Sequence, residues 1–143
     1  MNILIINGCN LNFLGIREPE IYGHQSYKDL KVYLKTLAKE MHFKCKVVQT
    51  NYEGKIIDYL QKAYNQKYDG IVINPGAFTH YSLAIRDAIK SIQIPTIEVH
   101  LSDINNREDF RKQSVISDVC QKTFSGEHFA SYKKAIQYLQ GDR

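Results

Sequence analysis

The chain has 143 residues, 43% of them hydrophobic and 24% charged, with 19 basic and 15 acidic side chains giving a net charge of +4. This is the balance of one ordinary globular domain spanning residues 1–143, and it excludes disordered, collagenous and coiled-coil chains. No apolar run approaches the roughly 18 residues of a membrane span, so no membrane association is expected.

Asn2–Asn7 (NILIIN) is a short, β-branched apolar run and reads as a buried strand. Gly8–Gln25 has no clear period and reads as a loop of about 18 residues, the kind of long loop that usually carries function. Ser26 with Asp29 forms a capping-box pattern and opens a helix whose stripe is Leu30, Leu34, Leu37, Ala38 and Met41. Cys45–Thr50 reads as a second strand, and Ile56, Ile57, Leu60, Ala63 and Tyr64 mark a second helix. Gly70–Asn74 (GIVIN) is a third strand, broken sharply by Asn74-Pro75-Gly76-Ala77. Ala84, Ile85, Ala88, Ile89 and Ile92 give a third helix, and Thr96–His100 a fourth strand. A short helix through Arg107–Lys112, a weak fifth strand at Lys122–Ser125 and a helix carrying Phe129, Tyr132, Ile136 and Leu139 complete the order.

Strands apolar on both faces, alternating with helices, predict a parallel sheet covered on both sides. Five such units fit an α/β, flavodoxin-like doubly wound fold with strand order 2-1-3-4-5 and helices on both faces. Ligands of such sheets bind beyond the carboxyl ends of the strands, near the switch point between strands 1 and 3.

The residues predicted at that edge are polar. They include Asn7, Asn10 and Asn12 after strand 1, Asn74, Thr79 and His80 after strand 3, and His100 and Ser102 after strand 4. Arg17 and Tyr22 lie in the long loop, and the short helix after strand 4 carries Arg107 and Arg111, four apart and thus on one helical face. Glycine spacings for dinucleotide or Walker-type phosphate binding are missing. Asparagines replace the acidic groups of a phosphoacceptor site, and the five histidines have no metal-ligand spacing. The scattered lysines fit a solvated surface rather than nucleic acid, and three well-separated cysteines fit free thiols in a reducing cytoplasm. The opening Met1-Asn2 lacks the charged region of a leader.

What remains is acid–base chemistry on an anion. Arginine binds carboxylates bidentately, histidine titrates near neutrality, and a guanidinium beside a tyrosine lowers its pKa toward use as a base. On residue type alone, other roles stay open. Tyr22 could plug the loop onto the domain, His80 could cap a loop, His100 could be a satisfied strand end, and both arginines could pair with Glu108 or Asp109.

Five stretches carry a resemblance: NGCNLNFLGIREPEIYG (7–23), NYEG (51–54), INPGAFTHYSLAIRDA (73–88), EVHLSDINNREDFR (98–111) and Ser125-Gly126. Over essentially its whole length the chain resembles the type II 3-dehydroquinases. The resemblance implies dehydration of 3-dehydroquinate to 3-dehydroshikimate without metal or organic cofactor, by a dodecamer of four trimers. It implies Tyr22 as the proton acceptor, Arg17 as its activator and transition-state stabiliser, and His100 as the proton donor, with a lid at about residues 16–25. Asn74, His80, Asp87, Leu101, Ser102 and Arg111 match substrate-binding positions, Asp87 reaching a neighbouring subunit's site. Asn10, Glu98 and Arg107 match supporting positions. Two departures stand out: Cys9 replaces the family's usual proline, and Asn105-Asn106 replaces a common His-Ala. A flavin- or nucleotide-binding module, or a relative with a decayed site, are the competing readings of the same fold.

Overall fold

In the computed structural model, residues 1–142 are described apart from Arg17 and Gly23, with Tyr22 described by its backbone alone. Five parallel strands form one sheet: β1 (Asn2–Asn7), β2 (Lys44–Gln49), β3 (Gly70–Asn74), β4 (Thr96–His100) and β5 (Lys122–Ser125). Their order is β2-β1-β3-β4-β5, the doubly wound order that the alternation of elements predicts. Asn7 pairs in register with Asn74. The direction of winding reverses at these two strands, so the chain leaving β1 and the chain leaving β3 diverge there and leave a crevice.

Helices α2 (Tyr27–Glu40) and α5 (Phe129–Leu139) cover one face of the sheet, and α3 (Glu53–Asn65) and α4 (Leu83–Ile92) the other. The two-residue alternation of strands divides the core accordingly. Ile3, Ile5, Val72, Ile97 and Val99 pack with Leu30, Leu34 and Tyr132. Leu4, Ile6, Ile71 and Ile73 pack with Ile56, Leu60, Ile85 and Ile89. The capping box of α2 is present: Asp29 N–H donates to Ser26 Oγ at 3.1 Å and Ser26 N–H to Asp29 Oδ2 at 2.9 Å.

Three predicted boundaries differ. The second strand runs from Lys44 to Gln49, one residue earlier than Cys45–Thr50. It is half-exposed, with lysines alternating along it, so the apolar pattern marks its ends weakly. The long loop after β1 is not featureless: Leu11–Phe13 makes a 3-10 turn and Pro19–Tyr22 a one-turn helix, α1. Such short turns carry no detectable period. The predicted helix over Arg107–Lys112 is absent. Two 3-10 turns, Ile104–Asn106 and Asp109–Arg111, stand there instead, with Arg107 extended between them (φ −101°, ψ −178°). Phe110 is exposed, so the segment has no apolar face to hold a helix on the core.

Candidate active site

The segments that follow β1, β3 and β4 enclose a cavity of about 120 Å³ at the carboxyl edge of the sheet. Asn10, Leu11 and Leu14 line it from the first segment, and Asn74, Gly76, Ala77 and His80 from the second. His100, Leu101, Ser102, Ile104, Arg107 and Arg111 line it from the third.

Glycine lets the first two segments meet. Gly8 N–H donates to Asn74 O at 2.7 Å, and a Cβ on Gly8 would stand 2.3 Å from Pro75 O. Gly76 has φ +63°. Its N–H donates to Asn74 Oδ1 at 3.2 Å, an Asx-type turn that ends β3. Asn10 is held in the left-handed region, φ 68°, and its N–H donates to Asn51 Oδ1 at 2.9 Å.

Beneath the cavity on the α5 side lies a neutral network. Asn7 and Asn74 share the parity of Ile5 and Val72, so both side chains face α5. Tyr132, fully buried on α5, donates its O–H to Asn7 Oδ1 at 2.6 Å and accepts from Asn74 Nδ2 at 3.0 Å. Burial pushes the Tyr132 phenol well above its ordinary value, so it remains a proton donor. Among the described residues Asn7 Nδ2 has no partner in hydrogen-bonding geometry. Asn7 nevertheless lies close enough to Tyr27 to oppose the larger upward effect of burial on that phenol.

On the opposite side lies an ionic network. Glu98 and His100 are two residues apart on β4 and share one face. His100 Nε2 lies 2.5 Å from Glu98 Oε2. Thr79 Oγ1 donates to Glu98 Oε2 at 2.6 Å, and Ser114 Oγ lies 3.0 and 2.9 Å from its two oxygens. Burial of Glu98 acts to raise its pKa, but hydrogen bonds from His100, Thr79 and Ser114 outweigh it and hold the carboxyl below its ordinary range. A carboxylate only accepts, so the Nε2 facing it carries a proton and Nδ1 is the ring nitrogen left for other chemistry.

The arginines combine two of the roles open to them. Arg111 Nε stands 3.2 Å from Glu108 Oε2, poorly aligned for a hydrogen bond, and Arg107 Nε 3.8 Å from the same oxygen. Both also line the cavity, and Arg107 Nη1 donates to Ser102 Oγ at 3.4 Å. They share no helical face; the extended backbone at Arg107 and the following turn bring them to the same wall. His80 likewise both lines the cavity and caps a loop, its Nδ1 lying 2.8 Å from Gln113 O.

Of the residues singled out from the sequence, Asn10, Asn74, His80, His100, Leu101, Ser102, Arg107 and Arg111 meet at this cavity. Glu98 sits behind His100 rather than in the lining. Asp87 is exposed on α4, away from the cavity. Arg17 and the side chain of Tyr22 lie outside the described residues. Tyr132 and Ser114 were not singled out for the site, and Thr79 was placed at the sheet edge without a role. Thr79 and Ser114 reach Glu98 only through the fold, and Tyr132 reads as one more member of an apolar stripe. Among the described residues no group of three or more His, Cys, Asp or Glu side chains is placed to hold a metal ion, and no helix is long and apolar enough to cross a membrane.

Comparison with known proteins matches this arrangement to one family. A family model described as dehydroquinase class II matches residues 1–140. A 3-dehydroquinate dehydratase of Clostridium acetobutylicum is 54% identical over 140 residues, 98% of this chain and 96% of that protein. One from Caldicellulosiruptor bescii is 51% identical over 138 residues, 96% of this chain and 95% of that protein. The crystal structure of a type II dehydroquinase from Butyrivibrio crossotus superposes with a TM-score of 0.97 at 49% identity, covering 99% of this chain and 98% of that one. Fold, strand order and near-complete coverage agree, and the chain belongs to the class II dehydroquinase family.

Proposed function

We propose that this chain is a hydro-lyase, a type II 3-dehydroquinate dehydratase. It converts 3-dehydroquinate to 3-dehydroshikimate in the shikimate pathway of aromatic amino acid biosynthesis. The observation that carries the reading is the His100–Glu98 pair at 2.5 Å, with His100 opening onto a cavity that two arginines also line. A leaving hydroxyl is poor until protonated, and a substrate carboxylate needs cations.

In this reading Tyr22, as its phenolate, takes the proton beside the ketone, and Arg17 stabilises that phenolate and the developing charge. The electron pair passes into an enolate, whose stabilisation is the main electrostatic demand on the site. His100, protonated at both ring nitrogens, gives the proton on the cavity side to the C1 hydroxyl, which departs as water. The imidazolium would stand against the Glu98 carboxylate, so the charges compensate within a buried site. Asn74 contacts the substrate, Leu101 and Ser102 with their backbone turn receive the carboxylate, and His80 and Arg111 hold ring hydroxyls. Asn10, Glu98 and Arg107 support these groups. The segment 16–25 closes over the substrate and excludes water. No metal or organic cofactor takes part.

The same reading makes residues 1–143 one catalytic domain of a cytoplasmic dodecamer. Asp87 then serves a neighbour's site. Its place supports this: it is exposed one helical turn after the exposed Leu83 on α4, and Tyr81, two residues before that helix, is exposed as well. Absorbance of the conjugated enone, followed after mixing the purified protein with 3-dehydroquinate and a chelator, tests the activity. Growth of the signal is expected, and it should be nearly abolished in Tyr22→Phe. A flat trace from folded wild-type protein would overturn the reading.

A further inference from the structure

We propose that Tyr132 is a positioning residue for this reaction: held by Asn7, its hydroxyl fixes the amide of Asn74 so that an N–H, and not the carbonyl, is offered to the cavity. The proposal rests on the reading of Asn74 as a substrate-contacting group.

The orientation follows from donor counting. Gly76 N–H can only donate, so the Asn74 atom it meets at 3.2 Å is the carbonyl oxygen. The Asn74 amide nitrogen therefore points the other way, and it bears two hydrogens. One goes to Tyr132 Oη at 3.0 Å. Tyr132 has a single hydroxyl proton, and Asn7 Oδ1 takes it at 2.6 Å. Each link is thus directional, from Gly76 through Asn74 and Tyr132 to Asn7. The second N–H of Asn74 has no part in this chain, and Asn74 lines the cavity. The ligand atom it suits is an oxygen acceptor, such as a hydroxyl or carbonyl oxygen of a polyhydroxylated ring acid.

Packing alone does not account for the phenol. The ring is fully buried, and a phenylalanine would fill nearly the same space without introducing a polar atom. A buried hydroxyl needs one partner; this one has two, both at the ends of the strands that open the crevice. Without it, the Asn74 side chain loses its only side-chain partner among the described residues and can rotate about χ2.

A double-mutant cycle on the full chain tests the role, with 3-dehydroquinate as substrate and Tyr132→Phe, Asn74→Ala and the double variant compared. Folded Tyr132→Phe should lose roughly tenfold in kcat/KM, the scale of one misplaced hydrogen bond. In the Asn74→Ala background the same change should cause no further loss. A purely structural role would give equal losses in both backgrounds, and wild-type kinetics in folded Tyr132→Phe would equally overturn the proposal. Should Tyr132→Phe not fold, Asn7→Ala takes its place in the cycle, since it keeps the phenol and removes the acceptor that orients it. If neither folds, the hydroxyl is structural and the proposal falls. An inert wild-type protein sinks the functional reading, and the proposal with it; an active wild type with additive variants sinks the positioning role alone.

Discussion

The two sides of the sheet edge hold their functional groups by different physics. On the α5 side Asn74 is fixed by a chain of neutral groups, Gly76 N–H, Tyr132 and Asn7. On the α3/α4 side His100 is fixed by an anion, Glu98, itself held by Thr79 and Ser114. One residue of strand parity decides which physics applies, because alternate side chains of β3 and β4 face opposite layers. A neutral amide is the same molecule at any ordinary pH and suits a group that only orients. A histidine that must give a proton needs a nearby charge to balance it. On the proposed reading of Asn74 and His100, the division separates orientation from proton transfer within one cavity.

Removing the tip of each network should give the largest contrast. His100→Ala should lower kcat by about 10²- to 10⁴-fold, the usual contribution of a general acid. Asn74→Ala should cost less, about 10- to 100-fold, because it removes binding and orientation rather than a proton. Equal losses in steady-state kinetics would mean the two sides do not divide the work as described.

Gly8→Ala should damage both sides together. The added Cβ would lie 2.3 Å from a backbone oxygen, which cannot swing aside as a side chain does. The chains leaving β1 and β3 must then separate. We expect a loss of about 3 kcal/mol in denaturant titration, the upper end of ordinary overpacking. A stability within error of wild type would show that the close approach is not needed to bring the strand ends together.

Glu98→Gln tests the ionic side through pH. The replacement weakens the acceptor for Thr79 and Ser114 and should cost about 1–3 kcal/mol near neutrality. The Glu98 carboxyl is held below its ordinary value of 4.5 in the folded protein. Folding therefore favours its ionised form, and this contribution is full above 4.5 and lost as pH falls through that value toward the lower folded one. The stability gap between wild type and Glu98→Gln should accordingly narrow in acid. A gap that is constant from pH 7 to pH 3 would contradict an ionised Glu98.

These contrasts also mark what the sequence could and could not reveal. β1, β3 and β4 were legible because their apolar runs are short, β-branched and bounded by Asn, Gly or Pro. With the strand order, they place Asn74 and His100 at one edge without further information. Glu98, by contrast, came only from the family resemblance, and its burial behind His100 depends on Thr79 and Ser114 arriving from other segments. The arginine pair was reached by a wrong route. Charges four residues apart suggest a helix, but a segment without an apolar face has nothing to hold one, and Asp103 and Glu108 organise turns instead. Tyr132 was legible as a core residue and illegible as a polar one, since its partners lie 125 and 58 residues away.

The smallest expected effect gives the cleanest discrimination. Tyr132→Phe leaves Asn7 Oδ1 and Asn74 Nδ2 without their shared partner, at a cost of about 1–2 kcal/mol in unfolding free energy. No member of that network titrates between pH 4 and 8. The amides are neutral throughout, and burial moves the phenol upward, away from this range. Proton binding by the network is then the same in the folded and unfolded chain, so its contribution has no pH slope. Denaturant midpoints for wild type and Tyr132→Phe should run parallel across that range, while those for wild type and Glu98→Gln converge toward its acid end. A Tyr132→Phe gap that also narrows in acid would mean that the two networks are coupled through the cavity, and that the neutral side responds to the charge on the ionic one.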